Sequence, residues 1–250
     1  MKTSNKLILV VVLVTLVCLV AYDFLLKAAY ISGDYKTPYK SYVTLPWKNF
    51  DIVEVNSSTV ANVQFVQGPF SVKIDNRALE HTTIRQQGNR LQINAGFENN
   101  RLWNPHPYVL LISCPKLTKV YANATYYVDK HPITDSIARE DWNMRNVLID
   151  GFKQDSLSVE QDYGSTVILS NNIIRSVHAA IGKSKGSGSL IILKQSNQFN
   201  NACLDIDHRS QLELENCIIH HLAYHLSDSA KLIVSGSAHD LLNNLNHFRQ

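Results

Sequence analysis

Hydrophobic and polar positions alternate along most of this chain, and in its second half the alternation recurs as a unit. Gly164-Ser165-Thr166-Val167-Ile168-Leu169-Ser170-Asn171-Asn172-Ile173-Ile174 sets the pattern of polar turn, apolar strand, Asn-rich corner and second apolar pair. Gly188-Ser189-Leu190-Ile191-Ile192-Leu193, Ser210-Gln211-Leu212-Glu213-Leu214-Glu215-Asn216-Cys217-Ile218-Ile219 and Ala230-Lys231-Leu232-Ile233-Val234-Ser235-Gly236-Ser237 repeat it, the last followed by Leu241-Leu242. With Val167, Leu190, Leu212 and Leu232 taken as equivalent, the spacing is about 20 to 23 residues, right for one coil of a β-solenoid and too short for a globular unit. Val167 with Leu169, Leu190 with Ile192, Leu212 with Leu214, and Leu232 with Val234 are the expected inward positions, each coil closing the wall of the next. A β-sandwich is the rival architecture, but it does not require a recurring spacing.

The first half carries shorter alternating runs at Ile52, Val53 and Val55, at Val63 and Phe65, at Phe70, Val72 and Ile74, and at Leu91 and Ile93. Their period of two predicts half-buried strands. Gln67-Gly68-Pro69, Asp75-Asn76 and Gln87-Gly88-Asn89 supply the turns. Tyr108 to Ser113 and Leu117 to Tyr121 are the next strands, and Asn99–Pro107 and Asp129–Asn143 read as long exposed loops. Helical periodicity is confined to the chain start. The expected fold class is therefore all-β, a parallel β-helix-like solenoid behind an N-terminal transmembrane helix.

That helix follows from Leu7 to Tyr22, a stretch without charge that Phe24, Leu25 and Leu26 extend beyond Asp23 toward the ~20 residues a bilayer span needs. Lys2 and Lys6 before an apolar core also suit a cleaved signal peptide. No small-x-small cleavage site follows, because Leu19 precedes Ala21, Leu26 precedes Ala28 and Lys27 precedes Ala29. Thr15-Leu16-Val17-Cys18 lacks the small residue that precedes a lipidated cysteine. The expected organisation is a signal-anchor over residues 1–27, a tether over 28–49 with Tyr30, Tyr35, Tyr39, Tyr42 and Trp47 among lysines, and a β-domain over 50–250. Residues 7–26 would sit in a lipid bilayer, placing a single-pass chain in the inner membrane with its C-terminal domain in the periplasm; the cell surface is the alternative.

A formal charge of +3 on scattered lysines and arginines excludes the basic footprint of a nucleic-acid binder. Beyond Cys18, the cysteines Cys114, Cys203 and Cys217 are odd in number and form no disulfide framework; they read as buried small hydrophobes, though Cys203 and Cys217 could pair if stacked. Asn171, Asn172, Asn197 and Asn216 read either as a partial ladder or as plain corners. His220, His221 and His225, with His208 and His239, match no compact ligand spacing, and adjacent histidines on a strand should point to opposite faces. Asp205 with Asp207, and Glu213 with Glu215, each share a face and look outward. With Arg209 or Lys231 they motivate a polysaccharide-acting β-helix enzyme as the alternative function. No catalytic, cofactor-binding or metal residues are assigned, and no cofactor is expected.

Phe50-Asp51-Ile52-Val53-Glu54-Val55, the Val60–Gln67 strand, Phe70-Ser71-Val72-Lys73-Ile74, Asn89-Arg90-Leu91-Gln92-Ile93 and Ile112-Ser113-Cys114-Pro115-Lys116-Leu117-Thr118-Lys119-Val120 together resemble the auto-transporter adhesin head GIN domain family of Bacteroidetes. The resemblance runs from about Phe50 to Leu242 and rests on order and spacing. The family's Ser-Gly-Ser turns persist at Gly186-Ser187-Gly188-Ser189 and Ser235-Gly236-Ser237. It implies an exported β-helical domain with no established enzymatic activity. The expected function is a membrane-anchored, non-catalytic adhesion or binding module of the cell envelope, with glycan or envelope protein as partner.

Overall fold

The protein, described by a computed structural model over residues 3–33, 39–98, 109–138 and 145–238, is mostly β with one N-terminal apolar helix. The division between its two compact units falls at Tyr42 and Val43.

In the first unit, α1 (Thr3–Ser32) forms because a mostly apolar stretch without Gly or Pro satisfies its backbone internally. Its 30 residues span ~45 Å at 1.5 Å per residue, more than a hydrocarbon core of ~30 Å. Leu7, Val11, Val14, Val17 and Leu25 are all well exposed, so the helix is apolar all round, the pattern suited to lipid. The stretch Asn5–Ser32 is long and apolar enough to cross a membrane. The helix ends at Gly33, whose φ of +69° lets its N–H reach back to the Tyr30 carbonyl at 3.2 Å. Tyr35, assigned above to the tether, lies outside the described residues.

The second unit opens with β1 (Tyr42–Leu45), β2 (Ile52–Val55), β3 (Val63–Gln67), β4 (Ser71–Asp75) and β5 (Thr82–Gln87). It continues with β6 (Arg90–Phe97), β7 (Leu110–Cys114), β8 (Lys119–Ala122), β9 (Thr125–Val128) and β10 (His131–Thr134). The later strands are β11 (Val147–Asp150), β12 (Lys153–Gln161), β13 (Thr166–Ser170), β14 (Ile173–Ile181), β15 (Leu190–Leu193), β16 (Gln198–Ile206), β17 (Gln211–Glu215), β18 (Ile218–Leu226) and β19 (Lys231–Ser235). Two sheets result. The first runs β1-β4-β7-β3-β11-β13-β15-β17-β19; the second runs β10-β9-β6-β2-β8-β12-β14-β16-β18, with β5 added beside β6.

From β11 onward the chain alternates between the sheets, and every pairing there is parallel. Parallel ladders depart from the antiparallel sandwich. Val147, Val167, Ile191, Leu212 and Leu232 stand side by side in register, at steps of 20, 24, 21 and 20 residues. The equivalent of Val167 is thus Ile191 and not Leu190, which pairs with Thr166 and Gln211. Ile191 and Leu193 are fully buried, whereas Leu190 and Ile192 are half-buried on the other face. The Leu-Ile-Ile-Leu strand is apolar at every position, so alternation alone cannot set its phase.

Asp129 and Lys130, at φ of 49° and 67°, make a two-residue hairpin turn between β9 and β10, which pair antiparallel. Part of the expected 129–143 loop is therefore strand; residues 139–144 and the expected 99–107 loop lie outside the described residues.

Inside, one core runs from Phe50 to Ala238, and a second, small cluster joins Val60, Ala61, Ala95, Phe97, Tyr126 and Val128. Full burial of each Val, Leu or Ile contributes about 1.5–3 kcal/mol. The corners are built alike. Gly151, Asn171, Ser196, Asn216 and Gly236 all hold φ between 48° and 75°, the left-handed region that Gly and Asn tolerate best. The following residues turn inward as a column of Phe152, Asn172, Asn197 and Cys217, all buried. Asn172 Nδ2 donates to Asn197 Oδ1 at 3.0 Å and to the Ile149 carbonyl at 3.0 Å, while Asn172 Oδ1 accepts from the Phe152 N–H at 2.9 Å. The ladder is therefore Asn172 and Asn197; Asn171 and Asn216 are exposed corner residues. At the opposite corner Ser165, Ser189 and Ser210 are buried, and a Cβ on Gly182 (φ 76°) would collide with Ser210 Oγ.

Candidate functional site

The four long strands β12, β14, β16 and β18 each bend once, and the bend determines what their outer surface presents. The register passes from Gln154↔Ile174 directly to Ser156↔Ser176, omitting Asp155 and Arg175, and likewise omits Asn200 and His220. Two successive residues are consequently exposed on each strand, so His220 and His221 both face solvent instead of opposite sides. His225 is exposed farther along β18. His208 sits at a corner with Nδ1 2.7 Å from the Gly182 carbonyl oxygen, and His239 lies outside the described residues.

The acid pairs are divided between the sheets. Asp205 is on β16 of the second sheet, with Asp207 at the corner beyond it, while Glu213 and Glu215 lie on β17 of the first. Arg209 donates to the Gly186 carbonyl at 2.8 Å. Cys203 and Cys217 are both free thiols, Cys203 exposed and Cys217 buried. The two do not pair: Cys203 faces outward in the middle of β16, beside Ala223 of β18, whereas Cys217 is an inward corner residue between β17 and β18. Burial pushes the Cys217 thiol up to about 11 and Cys114, also inside, up to about 12.

Register builds two outward columns across the second sheet. Ile52, Lys119, Ser158, His178, Cys203 and Ala223 are successive neighbours, as are Glu54, Tyr121, Glu160, Ala180, Asp205 and His225. At the β2–β8 end, charges neutralise one another. Glu54 accepts from Arg90 and, at 2.7 Å, from Gln92. Lys119 Nζ lies 4.4 Å from the Tyr121 ring centroid and the Arg90 guanidinium 5.3 Å from it. Lys119 also reaches Glu160 at 2.7 Å, and Lys183 lies 3.8 Å from the same carboxylate. The Lys119 hydrogen bond lowers Glu160 below the ordinary carboxylate value and raises Lys119 above the ordinary amine value. Beyond this ionic band, one donor atom each from His178, Cys203 and Asp205 lie within 4.8 Å of one another. Sequence inspection missed this trio because His178 lies 25 residues before Cys203; the pairing His178↔Cys203 becomes visible only once the register is known.

A concavity lies elsewhere, among the antiparallel strands of the first half. A cleft of about 1170 Å³ is lined by residues of β5, β6 and the β9–β10 turn, among them His81, Thr83, Arg85, Asn94, Phe97, Glu98, Tyr127 and Lys130. β5 folds back antiparallel on β6, placing Thr83 opposite Asn94, and only Gly96 and Phe97 of β6 pair with β9. Phe97, buried within the small second core, packs against His81 at 5.4 Å and edge-on to Tyr126 at 6.4 Å. Tyr127, on the opposite face of β9 from Tyr126, is 44% exposed. The rim mixes Glu80, Glu98 and Asp129 with Arg85 and Lys130.

No family model matches the chain, and no curated protein matches it. Among solved structures, a "putative adhesin" of Bacteroides fragilis is 14% identical over 79% of this chain and 99% of its own, with a TM-score of 0.37. A "putative adhesin" of Parabacteroides merdae is 10% identical over 78% and 96%, with a TM-score of 0.35. A "putative lipid binding protein" of Parabacteroides distasonis is 11% identical over 78% and 94%, with a TM-score of 0.26. Similarity at this level transfers no activity or ligand to this chain.

Proposed function

We propose that this protein is a membrane-anchored, non-catalytic binding module whose cleft between β5, β6 and the β9–β10 turn holds a glycan of the cell envelope. In this reading residues 7–26 span the inner membrane as a signal-anchor, 28–49 tether the domain, and 50–250 form a β-solenoid of the head GIN type in the periplasm. The alternation of strands between two sheets and the parallel register from Val147 to Leu232 support the solenoid. The length and apolar surface of α1 support the anchor.

The cleft carries the functional reading. The exposed Tyr127 offers a flat apolar face, and Thr83, Asn94 and the rim charges offer hydrogen bonds of both senses. Glu80, Glu98 and Asp129 outnumber Arg85 and Lys130 in its lining, so it has no cationic field to collect nucleic acid or another polyanion. A neutral, hydroxyl-rich ligand with apolar ring faces suits such a lining best. The test uses the full chain in detergent micelles on an array of envelope glycans, with affinity then measured by calorimetry. Tyr127→Ala and Arg85→Ala should each weaken the selected ligand by about tenfold, the 1.4 kcal/mol expected of one good contact. Unchanged affinity in both variants would refute the cleft as the binding site, and protease accessibility in spheroplasts against intact cells checks the topology.

A further inference from the structure

We propose that the outer face of the second sheet carries a transition-metal site of the zinc class, with an imidazole nitrogen of His178, Sγ of Cys203 and a carboxylate oxygen of Asp205 as its donors. Strand geometry alone brings these three groups together. Cys203 and Asp205 are two residues apart on β16, which puts both on its outer face. His178 is the register partner of Cys203 on β14, one strand spacing of ~4.8 Å away. The donor atoms already lie within 4.8 Å of one another. Bonds of ~2.0–2.3 Å to a tetrahedral ion require donors ~3.3–3.8 Å apart, so the triangle has to contract by about 1 Å. His178 and Cys203 are exposed side chains free to rotate by that amount.

The donor chemistry selects the ion. A thiolate, an imidazole and a carboxylate form a mixed set that suits Zn²⁺ or Co²⁺, whereas Mg²⁺ and Ca²⁺ favour all-oxygen surroundings. The thiolate and carboxylate charges together balance a divalent ion. Lys119 and Lys183 both approach Glu160, whose single carboxylate offsets one of their two charges. Three protein donors leave a fourth position to water or to a group from a bound partner. His225, opposite Asp205 in register, is the imidazole on the next strand. This site departs from the expectation that no residue ligates metal, and it draws on none of the His220-His221 pair that the sequence made conspicuous. It is also independent of the cleft and of any ligand the cleft takes.

The test is Co²⁺ titration of the full chain in detergent micelles, in a Cys18→Ser background that removes the other exposed thiol. The expected result is a thiolate-to-cobalt charge-transfer band in the near ultraviolet that saturates at one ion per chain and is displaced by Zn²⁺. Cys203→Ser should abolish the band, while His178→Gln and Asp205→Asn should each weaken binding by roughly tenfold or more. The double variant His220→Ala/His221→Ala should keep the band unchanged. All of these positions lie on the solvent face, so circular dichroism and the melting temperature of the metal-free variants should match the parent. Absence of the band in the parent, its survival in Cys203→Ser, or its loss in the His220→Ala/His221→Ala variant would overturn the assignment.

Discussion

The two halves of the β-unit use the same alternating strands and arrive at different surfaces. From Val147 to Ser235 each strand lies parallel to its counterpart one repeat away, and the surfaces that result are flat walls. From Tyr42 to Thr134 the pattern is broken by the antiparallel pairs β4–β7, β5–β6 and β9–β10, and the cleft lies among these interruptions. Repetition places like positions in columns, which suits a cluster of side chains on an open face. Irregularity tilts strands away from one another and leaves concave space. In this protein the columns come from the recurring parallel register and the cleft lies among the departures from it.

The contrast can be tested first in the cores. Leu193→Ala, in the fully buried column of the regular half, should destabilise the unit by about 2–5 kcal/mol in denaturant unfolding, because rigid neighbours on both sides cannot close the void. Asn172→Ala should cost about 1–3 kcal/mol, since the Phe152 N–H and the Ile149 carbonyl lose their side-chain partner inside the wall. Val128→Ala, in the small cluster under the cleft, should cost less, about 1–2 kcal/mol for the methyl groups removed. Its hydrogen-exchange signature should be faster opening of β9 and β10 with the later strands unaffected, and uniform opening of all strands would erase the distinction between the halves.

Smaller effects separate backbone from side chain. Asn171, at φ 56°, should tolerate Gly nearly without loss, whereas Asn171→Val should cost about 1–2 kcal/mol in the same unfolding assay. Least of all, Glu160→Gln should remove no more than about 1 kcal/mol, because the Lys119–Glu160 pair is partly exposed and screened. The pH dependence has a definite sign. Glu160 is lowered in the folded state, so its contribution is complete above the ordinary carboxylate value and is lost as pH falls through the lowered one. Lys119 is raised, so its share is complete below the ordinary lysine value and is lost as pH rises through the raised one. Glu160→Gln should therefore flatten both limbs of the stability profile measured from acid to alkaline pH.

Much of the architecture could be read before any coordinates, and the exceptions have identifiable causes. Val167, Leu169, Leu212 and Leu214 alternate cleanly with polar neighbours and are buried as expected. Leu190 and Ile192 were misassigned because their strand has no polar position to mark its phase. The bend at Arg175, Asn200 and His220 leaves no signal in a single strand, since two exposed residues in a row look like any polar pair. Of the proposed donors, only Asp205 stands out by type in the sequence; His178 carries no local signal, and Cys203 reads as a buried hydrophobe although its side chain faces solvent.

The order of apolar and polar residues determined by itself that there is an apolar helix followed by many short strands, with left-handed corners where Asn and Gly stand. Burial of apolar surface is a local property of each residue and its near neighbours, and so a linear pattern can encode it. Which residues from different repeats become neighbours was decided only by tertiary structure, through the phase of β15, the bends of the long strands and the antiparallel returns of the first half. Cross-strand pairing depends on register, and a shift of one residue exchanges the inside of a strand for its outside.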